Sequence, residues 1–109
     1  MFEVALVRRD RSGWTEDEIL GDELRIAREC LNLTQEELGR RIFLSRKQVM
    51  FVEAGRKELT RKEFRDWAEA VGRSVESFDS IVKREVEKQI RSHRNEASSV
   101  PGLRDVSAG

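Results

Sequence analysis

The sequence predicts an all-α protein, because the signals that start and stop helices recur along it. Its 109 residues contain four positions at which Ser or Thr is followed three residues later by Glu or Gln. This is the pattern of a capping box, in which the hydroxyl accepts from a free backbone N–H and the acid or amide accepts from the cap residue's own N–H. The four pairs are Thr15 with Glu18, Thr34 with Glu37, Ser45 with Gln48, and Thr60 with Glu63. Asn32, Gly55 and Gly72 tolerate the left-handed conformation that ends helices.

Apolar residues after these caps recur at helical spacing. They predict four core helices, then a short turn at residues 75–78 and a last helix from about residue 79 to 93. The residues that define the elements in order are Leu20, Leu24, Ala27 and Leu31; Leu38 and Ile42; Val49 and Val52; Phe64, Trp67, Ala68 and Val71; Val75 and Phe78; and Val82, Val86 and Ile90.

The predicted organisation is one domain with an appendage at each end, as the chain length suggests. Residues 1–19 form an arm in which the apolar stretch FEVALVR is a possible strand, broken by the polar residues after it, Arg11 among them. Residues 20–79 form the domain, and residues 80–109 form a C-terminal helix and a flexible tail rich in Ser, Pro and Gly. Trp14 is expected to anchor the arm.

Composition excludes several classes of function. One cysteine, Cys30, cannot form an internal disulfide or a multi-cysteine zinc site and favours a cytoplasmic setting. No apolar run of about 18 residues predicts a membrane span, and residues 1–10 lack the basic start of a secretory signal. The sequence offers no Cys–His pair at a plausible register, no Gly-rich phosphate loop and no HExxH motif. We therefore expect no catalytic site, no metal and no cofactor.

Charge is unevenly distributed although the chain carries 21 basic and 21 acidic residues. Residues 34–66 hold nine basic and six acidic residues, whereas residues 1–33 hold five and eight. A protein that is neutral overall can still present one basic face to a nucleic acid.

The segment at residues 34–55 is TQEELGRRIFLSRKQVMFVEAG. It predicts two short helices, at about 34–41 and 45–54, joined by a tight connection at Phe43 and Leu44. Gly39 falls inside the first of them, where glycine costs about 1 kcal/mol relative to alanine. We expect close packing at Gly39, with no room for a side chain where the two helices cross.

These residues resemble the Xre-type, lambda-repressor-like helix-turn-helix family over about residues 20–79. The matching positions are Leu24, Arg28, residues 33–39 (LTQEELG), Ser45, Val49, Val52, Glu53 and Gly55, followed by Trp67, Ala68 and residues 75–78. The resemblance implies a five-helix fold, an ion pair between Arg28 and Glu53, and binding to double-stranded DNA. The chain departs from the family with Phe43 where Gly is usual in the turn and Leu59 where Pro is frequent.

The resemblance also implies which side chains contact DNA. In this motif the second helix enters the major groove by its N-terminal end, and Val49 and Val52 face the core. The candidates are Gln35 for a phosphate, Ser45, Arg46, Lys47 and Gln48 for bases, Phe51 for thymine methyl groups, and Arg56 and Lys57 for the DNA backbone. Met50 lies towards DNA or its edge. Alternative interpretations are a solvated helix start for Arg46 and Lys47, a cap for Gln35, and a core or dimer residue for Phe51.

Three functions fit these expectations. The first is a sequence-specific transcriptional regulator, in particular a repressor, that binds DNA as a homodimer through the stripe Val82, Val86 and Ile90 or through FEVALVR. The second is an antitoxin that represses its own operon and binds a toxin protein. The third is a protein-interaction module that lost DNA binding, which the apolar Phe43, Met50 and Phe51 suggest.

Overall fold

Residues 10–98 of the chain fold into five α-helices, confirming the all-α prediction. The computed structural model describes residues 10–98, with side chains as far as Arg91. The helices are α1 (Glu16–Cys30), α2 (Gln35–Ile42), α3 (Arg46–Glu53), α4 (Arg61–Ala70) and α5 (Val75–Ser98). Residues 10–98 contain no strand. The possible strand at residues 2–8 and the end of the chain after Ser98 lie outside the described residues.

The predicted helix starts and stops are confirmed. All four capping boxes form with both reciprocal hydrogen bonds. At the start of α2, Thr34 N donates to Glu37 Oε1 at 2.8 Å, and Glu37 N donates to Thr34 Oγ1 at 3.0 Å. The bond from the Thr34 backbone N–H lowers the pKa of Glu37 below its ordinary value. Asn32, Gly55 and Gly72 have φ of 59°, 76° and 74° after their helices.

The core lies where α1 packs on α3 and α5 while α2 packs on α3 and α4. The residues buried in it are Leu24, Ala27, Leu38, Ile42, Leu44, Val49, Val52, Phe64, Trp67, Ala68, Val71 and Phe78. Most of the apolar positions that defined the predicted helices are among them. Leu31 is an exception, because the helix ends there and leaves it half exposed, and Ile19 is fully buried one residue before the predicted domain.

Two helices differ in extent from the predicted elements. α1 begins at Glu16, so its first turn falls in the stretch assigned to the arm. The predicted short turn at 75–78 and the separate last helix are one continuous helix, α5. Ser74 accepts from Ser77 N at 3.2 Å at its start, and no Gly or Pro follows before residue 98. Nothing in the sequence therefore interrupts the helix near residue 79.

A buried cluster of charges joins α5 to α1. Arg11 is 4% exposed, and its Nη2 lies 2.7 Å from Asp22 Oδ2 and 2.8 Å from Glu23 Oε2. Its Nη1 lies 3.2 Å from Glu85 Oε1, and its carbonyl oxygen accepts from Gln89 Nε2 at 2.6 Å. One arginine before the first helix thus binds the middle of α1 and the middle of α5.

Arg11 remains charged at this buried position. Burial disfavours the guanidinium, but hydrogen bonds to Asp22 and Glu23 outweigh that effect and raise the pKa of Arg11 above its ordinary value. The cluster therefore keeps its central cation throughout the neutral pH range.

We expect Arg11→Ala to lower the free energy of unfolding by about 3–5 kcal/mol, because the buried Asp22 and Glu23 would both lose the guanidinium that pairs with them. Urea denaturation followed by circular dichroism measures this. Lys62→Ala is the control, since the Lys62–Asp66 pair lies on the surface, with the lysine side chain 77% exposed, and should cost at most about 1 kcal/mol. Equal losses in the two variants would contradict a structural role for Arg11.

Candidate nucleic-acid interface

The turn between α2 and α3 is closed by backbone contacts. Leu44 N donates to the carbonyl oxygen of Gly39 at 2.9 Å. A Cβ atom at Gly39 would stand 2.4 Å from the carbonyl oxygen of Leu44 and 3.5 Å from Val49 Cγ2. The predicted close packing at Gly39 is therefore present, but the turn's own backbone, more than the facing helix, excludes a side chain. This contact brings the start of α3 against α2.

Phe43 occupies the turn in a left-handed conformation, with φ of 62°. A left-handed conformation costs an L-residue roughly 1–2 kcal/mol, which glycine largely avoids. The ring is 89% exposed and so gains almost nothing from burial. Phe43 is tolerated because the contacts between Leu44 and Gly39 fix the turn. Phe43 also places a large apolar side chain beside the start of α3.

The orientation of α3 is set by two valines. Val49 and Val52 are buried in the core, which turns the opposite side of the helix to solvent. Arg46 and Lys47 are exposed in its first turn. The Lys47 Nζ atom lies 5.9 Å from the centre of the Phe51 ring. The side of α3 that is expected to enter the major groove is therefore the side that is exposed to solvent.

Ser45 and Gln48 form the cap of α3. Ser45 Oγ accepts from Gln48 N at 3.1 Å, and Gln48 Oε1 accepts from Ser45 N at 2.8 Å. Recognition of adenine by glutamine uses both ends of the amide, one accepting and one donating. Because the oxygen of Gln48 already serves the cap, its Nε2 is the end left for a DNA acceptor.

An ion-pair network holds α3 on α1 and α2. Arg28 Nε lies 2.6 Å from Glu53 Oε2, and Arg28 Nη2 donates to Glu53 Oε1 at 3.0 Å. Arg28 Nη1 also donates to the carbonyl oxygen of Leu33 at 2.6 Å. Gln35 Nε2 donates to Glu53 Oε1 at 3.1 Å. The ion pair implied by the family resemblance is therefore present, and Gln35 is held at the N-terminus of α2 by the same carboxylate.

A glycine that the sequence reasoning did not single out allows this approach. A Cβ atom at Gly21 would stand 2.3 Å from the carbonyl oxygen of Val52 and 2.7 Å from that of Glu53. The end of α3 therefore rests directly on α1. A glycine inside an amphipathic helix was the available sequence signal, as it was for Gly39.

The two cations after α3 have different surroundings. Arg56 is exposed, whereas Lys57 is half-buried. Lys57 Nζ donates to the carbonyl oxygen of Glu58 at 3.2 Å and lies 3.5 Å from Glu63 Oε1. The pKa of Glu63 is lowered, first by the backbone N–H of Thr60 and then by Lys57. Lys57 therefore has an internal acidic partner that Arg56 lacks among residues 10–91.

Free cations are concentrated in the middle of the chain. Among described side chains, Arg11, Arg25 and Arg28 all pair with acids. Of the nine cations in residues 34–66, Lys57 and Lys62 do so. The remaining seven are exposed and form no ion pair with the side chains of residues 10–91: Arg40, Arg41, Arg46, Lys47, Arg56, Arg61 and Arg65. These charges are available to an external polyanion.

The described part of the chain offers little for other chemistry. No group of three or more His, Cys, Asp or Glu side chains within it has an arrangement that would hold a metal ion. A groove of about 550 Å³ combines Arg61, Arg65 and Arg73 with Glu69, Glu76 and Asp79, so its charges balance. None of the helices in residues 10–98 is long and apolar enough to cross a membrane.

Comparison with solved structures finds gene regulators. The chain is similar to the clp gene regulator ClgR from Corynebacterium glutamicum, with a TM-score of 0.66 and 26% sequence identity over 80% of this chain and 96% of that one. A second structure of the same regulator gives a TM-score of 0.60 and 27% identity over 65% of this chain and 92% of that one. This supports the helix-turn-helix fold. No family model matches the chain, and no curated protein matches it by sequence.

We expect Phe43→Gly to raise the free energy of unfolding by about 0.5–1 kcal/mol, because relief of the left-handed strain exceeds the added backbone entropy of glycine. Thermal denaturation measures the change. Phe51→Gly on α3 is the control and should destabilise, since glycine inside a helix costs about 1 kcal/mol. A loss of stability in Phe43→Gly would show that the exposed ring has a packing role.

Proposed function

We propose that this protein is a sequence-specific, double-stranded-DNA-binding transcriptional repressor of the Xre type, acting in the cytoplasm as a homodimer. The observation that carries the proposal is the outward N-terminal turn of α3 within a surface of unpaired cations. Arg46 and Lys47 are exposed there without acidic partners in residues 10–98, on a helix whose opposite side is anchored by Val49 and Val52. Similarity to structures described as those of a clp gene regulator supports a role in gene regulation.

The eight candidate residues fall into groups according to the kind of contact that each can make with DNA. Arg46 and Lys47 donate to guanine O6 and N7 in the major groove, and Gln48 donates through Nε2. Gln35 and Ser45 sit at the N-termini of α2 and α3, where phosphate is favoured. Arg56 and Lys57 neutralise backbone phosphates, while Phe51 supplies apolar contact. Repression then requires only that the bound protein occupies a promoter.

A homodimer would double the number of bases contacted. The stripe on α5 supports this assembly, since Val82 and Val86 are half-buried and Ile90 is 50% exposed. Two copies packed through this stripe form an isologous interface with two-fold symmetry. Each copy would then present one α3 to one half-site.

A protein-interaction module is the second candidate, favoured by the 89% exposure of Phe43. It makes a different prediction for the cations of α3, since binding to a protein through Phe43 would not depend on Arg46 and Lys47.

We expect the double substitution Arg46→Ala, Lys47→Ala to abolish preference for a specific duplex while leaving the fold intact, because both side chains are exposed. Fluorescence anisotropy with a duplex from upstream of the gene and a scrambled duplex measures this, and a preference of about a thousandfold or more marks specific binding. Arg84→Ala, on α5, is the control and should keep the preference. Specific binding by the double variant, or no binding by the unchanged protein even at low salt, would refute the proposal.

We expect sedimentation equilibrium at micromolar concentration to give the mass of two chains. Ile90→Glu should shift the mass towards one chain, because a charge would replace an apolar contact. Arg84→Glu introduces the same acidic side chain about half a turn away from the stripe and should leave the dimer intact. One-chain mass for the unchanged protein would exclude the homodimer.

A further inference from the structure

Phe43 differs from every other residue that has a left-handed backbone in residues 10–98. The other four positions with positive φ are occupied by glycine or asparagine, which reach this conformation at little cost. They are Gly13, Asn32, Gly55 and Gly72. Phe43 has φ of 62°, and a bulky side chain at such a φ is an outlier that costs conformational free energy. The turn itself therefore does not favour phenylalanine at this position.

The ring of Phe43 contributes almost nothing to the stability of the fold. It is 89% exposed, and it belongs neither to the buried core cluster nor to the partly buried residues packed against that cluster. Residues held in costly conformations concentrate at sites of function. A costly conformation that presents a large apolar side chain to solvent is therefore expected to serve a contact outside this chain.

The chain around Phe43 is cationic. Residues 38–52 contain four basic residues and no acidic one. Two of them lie in the last turn of α2 and two in the first turn of α3: Arg40 and Arg41, then Arg46 and Lys47. All four are exposed and form no ion pair with the side chains of residues 10–91. Cations are favoured at the end of a helix, but those at the start of α3 oppose its dipole. The four together therefore indicate a polyanionic partner.

The distance between Phe43 and the start of α3 brings Phe43 to the edge of the groove that α3 enters in the proposed complex. Phe43 precedes Arg46 by three residues, which span at most about 11 Å. The major groove is about 12 Å wide, and its walls consist of phosphates and deoxyribose rings. When Arg46 contacts a base, Phe43 is therefore within reach of a wall. The deoxyribose ring is the apolar part of that wall, and an aromatic ring that covers it removes apolar surface from water.

We propose that Phe43 packs against a deoxyribose ring of the duplex and is a further DNA contact, in addition to the eight candidate residues. The inference rests on the proposed DNA-binding function. The contact is independent of base sequence, since every nucleotide carries the same sugar. It adds affinity and helps to position α3 in the groove, while the flanking cations neutralise neighbouring phosphates. The conformational cost of the turn is then offset only in the complex.

The first experiment compares three substitutions of Phe43 in the full chain. Affinity for a duplex selected from a random pool is measured by fluorescence anisotropy. Phe43→Gly and Phe43→Asn remove the ring and suit a left-handed backbone, so both should keep or raise the melting temperature while binding about tenfold more weakly. Phe43→Leu keeps an apolar side chain and is the matched control, which should bind within about threefold of the unchanged protein. Full affinity in Phe43→Gly and Phe43→Asn would overturn the inference and favour a protein partner for Phe43.

The second experiment separates a sugar contact from other causes of weaker binding. Phe43→Gly should weaken binding to the selected duplex and to its single-base-pair variants by the same factor. It should also leave the slope of log affinity against log salt concentration unchanged, because it removes no charge. Arg41→Ala should lower that slope by about one, because a phosphate contact is lost. Altered base preference in Phe43→Gly would show that Phe43 contacts a base or that α3 has moved, against the inference.

Hydroxyl-radical footprinting locates the contact, since the radical abstracts hydrogen from deoxyribose. At saturating protein concentration the unchanged chain should protect one or two sugars in each bound site that Phe43→Gly leaves open to cleavage. The rest of the footprint should be the same. Identical footprints for the two proteins would overturn the inference.

Failure of the proposed function would give a different result. If the unchanged protein selects no duplex and binds none at low salt, the DNA-binding function is refuted, and Phe43 cannot be a DNA contact. If the unchanged protein binds and the Phe43→Gly variant binds equally well, the function stands and only the inference fails.

Discussion

The geometry of the candidate interface depends on the carboxylate of Glu53 at the end of α3. It pairs with Arg28 of α1 and accepts from Gln35 of α2, so one side chain connects three helices. Arg28 in turn holds the loop before α2 through the carbonyl oxygen of Leu33. Loss of Arg28 would leave the buried carboxylate of Glu53 without its guanidinium, which typically costs about 3–5 kcal/mol. The direction in which α3 points is therefore tied to the stability of the domain.

Many of the buried charges are paired, whereas most cations of the middle segment are exposed and unpaired within residues 10–91. This separation explains how a chain with no net charge can present a cationic surface to a polyanion. Cations of the N-terminal part, such as Arg11 and Arg28, form ion pairs with internal carboxylates. Most cations of residues 34–66 have no acidic partner within the part of the chain that is described. Net charge averages over these two populations. The field at a surface depends on which charges are locally unpaired, so the total of zero carries little weight against DNA binding.

Local interactions made most of the fold predictable from the sequence. The two residues of a capping box are three positions apart, so the box of Thr34 and Glu37 forms locally and does not depend on the tertiary structure. A glycine inside a helix, such as Gly39, indicates close packing at its position. Arg11 was not predictable, because its partner Glu85 lies 74 residues away in the chain and the surrounding polar residues indicate only a break. The use of the Gln48 amide in the cap was implied by the sequence, but its consequence for base recognition needs the observed hydrogen bond. DNA contact by the eight candidate residues remains a prediction.

Two buried charge clusters on α1 connect the proposed DNA contact to the proposed dimer contact. Arg28, near the end of α1, fixes α3 through Glu53, and Asp22 with Glu23, in its middle, fix α5 through Arg11 and Glu85. In a homodimer joined through α5, this path sets the distance between the two copies of α3, which must match half-sites about 34 Å apart. Charge pairs suit this task because their geometry is directional, whereas apolar contacts alone permit sliding. The spacing of an operator would then be encoded by buried residues of α1 that touch no base.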